Sequence, residues 1–446
     1  MSREISISDG TITLNFLTGI LILKDGTWSP KTAVESVWET MELFSNASAA
    51  NIRTAYDQLE DLFKAGRKYK ASPIESMPVW LTWQSKDETT KRSLVLDGTI
   101  EIMSSIFSGP MMGKNRINLR VAIQRQRIFE AASSSAYAPG ILSNTGGKAT
   151  LAALGGIEDG RIASLIISSS TVAAALSRIW VGLRPLRNGT TGFISLWECE
   201  NGTVNYGNPG PDTEKIDDET ASGAHSVRVN FTMPTMNWRD NIYLSDIAST
   251  NLDDFVGRYL VLGRIKVDSA NTQVMIQLQH GWMGFSRGSI VGTTYISGQT
   301  SWKLVELGQV QLPPTGYRET GPGIGNGLGD YALKLYAERI SANGLLYFDC
   351  LILIPAEHLC VIDGTSVGAS GGEAAAYVNP LEGDQYAIGS QSNDILGNIE
   401  FSFNDWQFPR KGGLLVVAAQ GSSAHTLAQT LIPVFAVYPR WRGLRA

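Results

Sequence analysis

The 446-residue sequence predicts a mainly β protein: a small α+β N-terminal domain with one helix, then an antiparallel β-sandwich of jelly-roll type, then further C-terminal strands. Two observations predict this. A single long segment carries helical periodicity, while apolar residues elsewhere fall into short runs that alternate with period two. Between those runs the chain is rich in breakers, with 46 glycines and 17 prolines.

The helical segment is SAANIRTAYDQLEDLFKAGRKY. Ile52, Ala55, Tyr56, Leu59, Leu62 and Phe63 recur at three-and-four spacing and mark one buried stripe. Ser48 is placed to cap the first turn. Acidic Asp57, Glu60 and Asp61 precede basic Lys64, Arg67 and Lys68, the polarity that suits the helix dipole. The helix is expected over about 49–68, closed by Gly66 and the later Pro73. TITLNF and GILILKDG before it, and VWLTW, SLVLDGTIEIM and NRINLRVAIQRQRIF after it, read as strands. In the last of these, Ile117, Leu119, Val121 and Ile123 alternate with Asn118, Arg120, Ala122 and Gln124.

Residues 1–130 thus form the first expected domain. The small, polar segment ASSSAYAPGILSNTGG makes 131–150 the expected linker. Residues 151–365 supply the strands of the expected sandwich, from RIASLIIS and RIWVGLRP to LLYFDCLILI. In RIWVGLRP, Ile179, Val181 and Leu183 share one face, and Trp180 and Arg184 share the other. Near-regular spacing without intervening helix is the pattern of a sandwich or jelly roll. Residues 366–446 add three strands that complete either the sandwich or the first domain.

A net charge of −5 gives no global basic field for nucleic acid. A charged fraction of 18% with 43% hydrophobic residues excludes wholesale disorder. Three cysteines make no disulfide framework. The start, MSREISISDG, lacks the cationic-then-apolar pattern of a secretory signal, and apolar runs fall far short of the ~20 residues of a membrane span.

Chemical motifs are weak. Gly284-Phe285-Ser286-Arg287-Gly288 and Gly368-Ala369-Ser370-Gly371-Gly372 match the nucleophile-elbow pattern, with Asp363, His358 or His425 as partners, but neither leads into a helical pattern. The alternating glycines of GPGIGNGLGD precede a strand instead of a helix, so the phosphate-cradling helix start is missing. Cys350, His358 and Cys360 are the clustered soft ligands, yet their spacing matches no zinc finger or ribbon. Asp217-Asp218-Glu219 could offer oxygens to calcium, against the simpler reading of a solvated loop. No cofactor and no enzymatic activity are expected. Trp282 and Trp302, in or beside turn-rich segments, are the candidate platforms for a sugar face, set against the usual role of tryptophan as core filler.

The order of segments resembles phage and prophage tail proteins of the distal-tail and baseplate type. The resemblance is carried by the DGTWSP turn and by NIRTAYDQLEDLFKAGRKY leading into PVWLTW. It continues through SLVLDGTIEI and INLRVAIQRQRIF, through GRIASLIISSS and RIWVGLRPLRNG, and ends in the terminal VYPRWRGLR. It implies a ring-building N-terminal domain followed by a carbohydrate-binding-module-like sandwich, in a virion tail protein made in the host cytoplasm. The implied partners are other copies of the chain, neighbouring tail proteins and a host surface glycan. Arg116, Arg120, Arg125 and Arg127 would then form an assembly face for acidic partners, or contact DNA if they line the tail lumen. The alternative is an ordinary solvated strand face. An adsorption protein binding glycan through the sandwich, and a serine hydrolase acting on the host envelope, are the rival expectations.

Overall fold

The computed structural model describes residues 4–27, 36–72, 76–84, 89–106, 116–140, 142–143, 147–154, 158–169, 176–185, 196–198, 208–209, 212–221, 224–231, 236–243, 256–282, 289–312, 331–341, 344–367, 399–401, 407–421 and 430–441. Among them are twenty-nine strands, one α-helix and four antiparallel sheets, so the protein is mainly β. No described helix is long and apolar enough to cross a membrane.

The helix spans Ala49–Ala71, with the Ser48 hydroxyl accepting from the Asn51 amide at 3.3 Å. Ile52, Ala55, Leu59, Leu62 and Phe63 are buried in the first core. Gly66 does not close the helix. It lies inside it and lets the helix settle on the strand Lys91–Ile106, since a Cβ there would stand 3.0 Å from the Val95 carbonyl oxygen. Gly98 on that strand makes room for the Phe63 ring, which a Cβ would approach to 2.3 Å. Arg67 reaches down to Asp97 at 2.6 Å.

Beneath the helix, the strands Ile22–Thr27, Ser36–Ser45, Arg116–Gln126 and Lys91–Ile106 lie side by side as a ribbon. Lys91–Ile106 also pairs with Val79–Gln84, but only from Lys91 to Val95. The residue before that partner strand is Pro78, which has no N–H to continue a ladder. From Leu96 to Ile106 this edge has no strand partner among the described residues.

The first sheet does not end with the first domain. Phe129–Ala131 pairs with Lys91–Ile106 on one side and with the C-terminal strand Thr430–Trp441 on the other. Thr430–Trp441 in turn pairs with Glu158–Ser169. The expected linker at 131–150 is also built into sheets: Ser135–Tyr137 and Leu142–Ser143 pair with Thr430–Trp441, and Gly147–Leu151 pairs with Gly413–Gly421. Its small residues suit short edge strands, and Leu142 reaches the core.

The second sheet runs Gly147–Leu151, Gly413–Gly421, Leu176–Pro185, His358–Val367, Ile399–Phe401. Both of its faces are covered. Ile179, Val181, Leu183, Cys360, Ile362, Leu415, Val417 and Ala419 pack toward the first sheet. Trp180, Leu359, Val361, Leu414, Val416 and Ala418 join the sandwich core. Burial on two faces accounts for the unbroken apolar run LLVVAA, where alternation would otherwise appear. The described strands within 158–185, 358–367 and 399–441 therefore build the first and second sheets, so the expected boundaries at 151, 365 and 366 do not match the layers.

The sandwich proper uses eight strands: His225–Asn230, Asn237–Tyr243, Gly257–Val267, Gln273–Trp282, Ser289–Ser297, Lys303–Leu312, Tyr331–Arg339 and Leu345–Pro355. Counted in chain order, one sheet runs first, eighth, third, sixth, and the other runs second, seventh, fourth, fifth. That is jelly-roll order, with successive strands alternating between sheets except the fourth and fifth, which pair as a hairpin. Where the fifth strand crosses the sixth, Gly292 and Gly308 touch: a Cβ on Gly292 would stand 1.9 Å from the Leu307 oxygen, and one on Gly308 2.6 Å from that of Val291.

Candidate functional site

The fifth and sixth strands also line a cleft of about 830 Å3. Strand Ser289–Ser297 supplies Tyr295 and Ser297, strand Lys303–Leu312 supplies Glu306, and the turn between them supplies Gln299 and Ser301. The opposite wall comes from the second sheet through Arg178, Trp180 and Gln420.

The parity of Leu176–Pro185 aims Trp180 out of the second sheet toward the sandwich, where it is 1% exposed. Its Nε1 donates to Glu306 Oε1 at 2.8 Å, and Arg178 Nη2 lies 2.9 Å from the same oxygen. Gln420 Oε1 accepts from the Leu304 amide at 2.6 Å and so ties the second sheet to the sandwich edge. Gln299 Nε2 donates to the Ser301 carbonyl and hydroxyl. Tyr295 is 68% exposed and presents its ring to the cleft.

Trp302 also borders this cleft, but it is 5% exposed and held within a polar cluster. Its Nε1 donates to Thr220 Oγ1 at 2.8 Å, while Lys266 Nζ stands 4.4 Å and the Arg264 guanidinium carbon 5.0 Å from its ring. Arg264 is itself paired with the fully buried Asp349. Trp302 is therefore a framework residue and not an exposed sugar platform. Trp282 ends its strand with its backbone opposite Tyr331; its side chain lies outside the described residues.

The four arginines do not share a face, because strand parity divides them. Arg116 and Arg120 point outward, but Arg125 continues the buried row of Ile117, Leu119, Val121 and Ile123. Arg125 is 2% exposed, paired with Glu39 at 0% and stacked over Phe129 at 4.2 Å. Burial pulls its pKa down while Glu39 pushes it back up. Arg127 lies half-buried beyond the strand end. Arg120 meets Glu101 at 3.4 Å and Glu42 at 4.0 Å, and Lys24 meets Glu42 at 3.8 Å. Its charge is thus compensated within the sheet, as on a solvated face.

Among the described residues, no three His, Cys, Asp or Glu side chains converge to hold a metal. Cys350 and Cys360 belong to different cores, and burial pushes the Cys360 thiol up. Asp218 accepts from Lys266 Nζ at 2.6 Å and from Thr220, while Asp217 faces His225 at 3.1 Å. Both serines of the elbow matches and the GPGIGNGLGD glycines lie outside the described residues.

No family model matches the sequence, and no curated protein matches it. Among solved structures, the chain aligns with the CBM22-1–GH10 modules of Clostridium thermocellum xylanase 10B in complex with xylohexaose. The identity is 13%, over 32% of this chain and 25% of that one, with a TM-score of 0.22. It also aligns with infectious bursal disease virus Gx strain at 9% identity, 80% of each chain and a TM-score of 0.16. The T=1 particles derived from that virus align at 10% identity, over 84% and 83%, with a TM-score of 0.17. Scores this low establish neither a shared fold nor a shared role.

Proposed function

We propose that the chain is a structural subunit that works by assembling with copies of itself into a ring, in the setting implied by the tail-protein resemblance. The observation that carries this reading is the pair of open edges on the N-terminal ribbon. One edge, Ile22–Thr27, has Ser36–Ser45 as its strand partner among the described residues, and its Leu23 amide donates to the Phe16 carbonyl at 2.7 Å, so the open stretch begins at Lys24. The other is Leu96–Ile106. The register places Leu23, Leu43, Leu119 and Ile102 on one level and Asp25, Glu42, Arg120 and Glu101 on the next. Each edge carries exposed apolar residues, with Ile22 36% exposed on one, level with Ser104, and Ile102 54% and Met103 45% exposed on the other. Lys24 and Glu101, each 65% exposed, sit on opposite edges, with the exposed Asp25 beside Lys24. Unlike edges meeting head to tail give a heterologous contact, and such a contact closes into a ring when its rotation permits.

The experiment is sedimentation velocity with negative-stain imaging of the full chain. Rings are expected from the wild type. Ile22→Asp and Ile102→Asp should each return monomers with an unchanged melting temperature, because both side chains are exposed. A wild type that stays monomeric at high concentration overturns the reading.

A further inference from the structure

We infer that the cleft between the jelly roll and the second sheet binds a neutral, polyhydroxylated ligand, a saccharide, with Tyr295 as the stacking ring. The inference stands on the cleft alone and not on the assembly proposed above.

The lining is amphiprotic: Arg178 and Glu306 offset each other, and the exposed Lys303 adds one positive charge. Glu306 takes both its Trp180 and Arg178 contacts on Oε1, so among the described residues Oε2 carries no partner. Gln299 uses its amide nitrogen on Ser301, and its Oε1 likewise carries none. Ser297 and Ser301 add hydroxyls that both donate and accept. Closely spaced sugar hydroxyls need such a set, since each must find a partner when water is displaced.

The exposed Tyr295 ring supplies the remaining requirement, a flat apolar surface for the C–H face of a pyranose. Arg178 is neutralised by Glu306, so its guanidinium is not presented as in a dedicated anion site, and the one remaining charge among the described lining residues is the exposed Lys303, which the anion arm of the titration addresses. Trp180 and Trp302 hold the walls in place, Trp180 through Glu306 and Trp302 through Thr220, so the cleft is formed before a ligand arrives.

The test is calorimetric titration of the full chain with cellohexaose, xylohexaose, maltohexaose and chitohexaose, each up to about 10 mM. Inorganic phosphate and adenosine monophosphate form the anion arm. Saturable binding of at least one hexaose is expected, weakened about tenfold or more by Tyr295→Ala and largely retained by Tyr295→Phe. Glu306→Gln, with folding checked by melting temperature, should also weaken binding, and all three variants should assemble as the wild type does. Absence of binding by every hexaose overturns the inference. So does hexaose binding that Tyr295→Ala leaves untouched, or binding of the anions in preference to the sugars.

Discussion

Arg161 holds Glu130 with two parallel hydrogen bonds, Nε to Oε2 at 2.7 Å and Nη2 to Oε1 at 2.6 Å, and both side chains are buried. Arg92 adds a contact to the same carboxylate at 3.1 Å and stacks over Trp80 at 4.1 Å. Arg161 stacks over Tyr438 at 4.3 Å. The three charged residues come from three strands of the first sheet, and Glu130 sits on the short strand Phe129–Ala131 that joins its N-terminal and C-terminal parts. The cluster is therefore an electrostatic fastening across the seam between residues 1–130 and the rest of the chain.

Glu130→Ala should consequently be among the most damaging single changes. It leaves the buried Arg161 guanidinium and the partly buried Arg92 guanidinium without their shared carboxylate, and breaking a buried pair this way costs about 3–5 kcal/mol. Urea unfolding should show a lower midpoint. If the midpoint moves no more than for an exposed substitution, the seam contributes nothing to stability.

The helix gives a second prediction, about fit. Leu59 is 0% and Phe63 2% exposed, so Asp at either position places an unpaired charge in the core, at a cost of roughly 3–5 kcal/mol. Gly98→Val probes the same contact from the strand side, where even a Cβ would stand 2.3 Å from the Phe63 ring. Overpacking of this kind costs about 1–3 kcal/mol. Ring formation should fail in the Asp variants, because the ribbon loses the helix that braces it. Circular dichroism melts, read beside negative-stain images, test both statements.

The same contacts show what the sequence discloses and what it hides. The helix, its cap and its buried stripe were legible because they depend on residues within a few positions of one another. The row Ile117, Leu119, Val121, Ile123 was legible for the same reason, and counting two further along it places Arg125 inward; charge type alone had grouped it with Arg120. Gly66 reads as a terminator in sequence because glycine breaks helices on average, whereas in the fold it answers to Val95 on a distant strand. The long-range pairing of 131–150 with 413–441 leaves no local trace, since short polar edge strands and linkers share a composition. The cleft was hidden for a related reason. Tyr295, Glu306 and Arg178 carry no motif, and they meet because two sandwich strands and the second sheet come together around one cleft.

Asp218 yields a prediction in pH. Burial pushes its carboxyl up, but hydrogen bonds from Lys266, from the Thr220 hydroxyl and from the Thr220 amide, with the charge of Lys266, outweigh burial and hold it below the ordinary 3.8. A carboxylate depressed by folding contributes stability that is fully present above its unfolded value and is lost as pH falls through its folded value. Asp218→Asn should therefore lower stability at neutral pH by about 1–3 kcal/mol, the range for hydrogen bonds to a charged group. The gap between wild type and variant should stay constant down to about pH 5 and narrow once the pH drops below 3.8. Because Thr220 also receives the Trp302 indole, the variant should change tryptophan fluorescence in the native state. Urea titrations followed by fluorescence, repeated across this range, measure both effects. A gap that stays flat into the acid would show that the Lys266 pairing adds no pH-dependent stability.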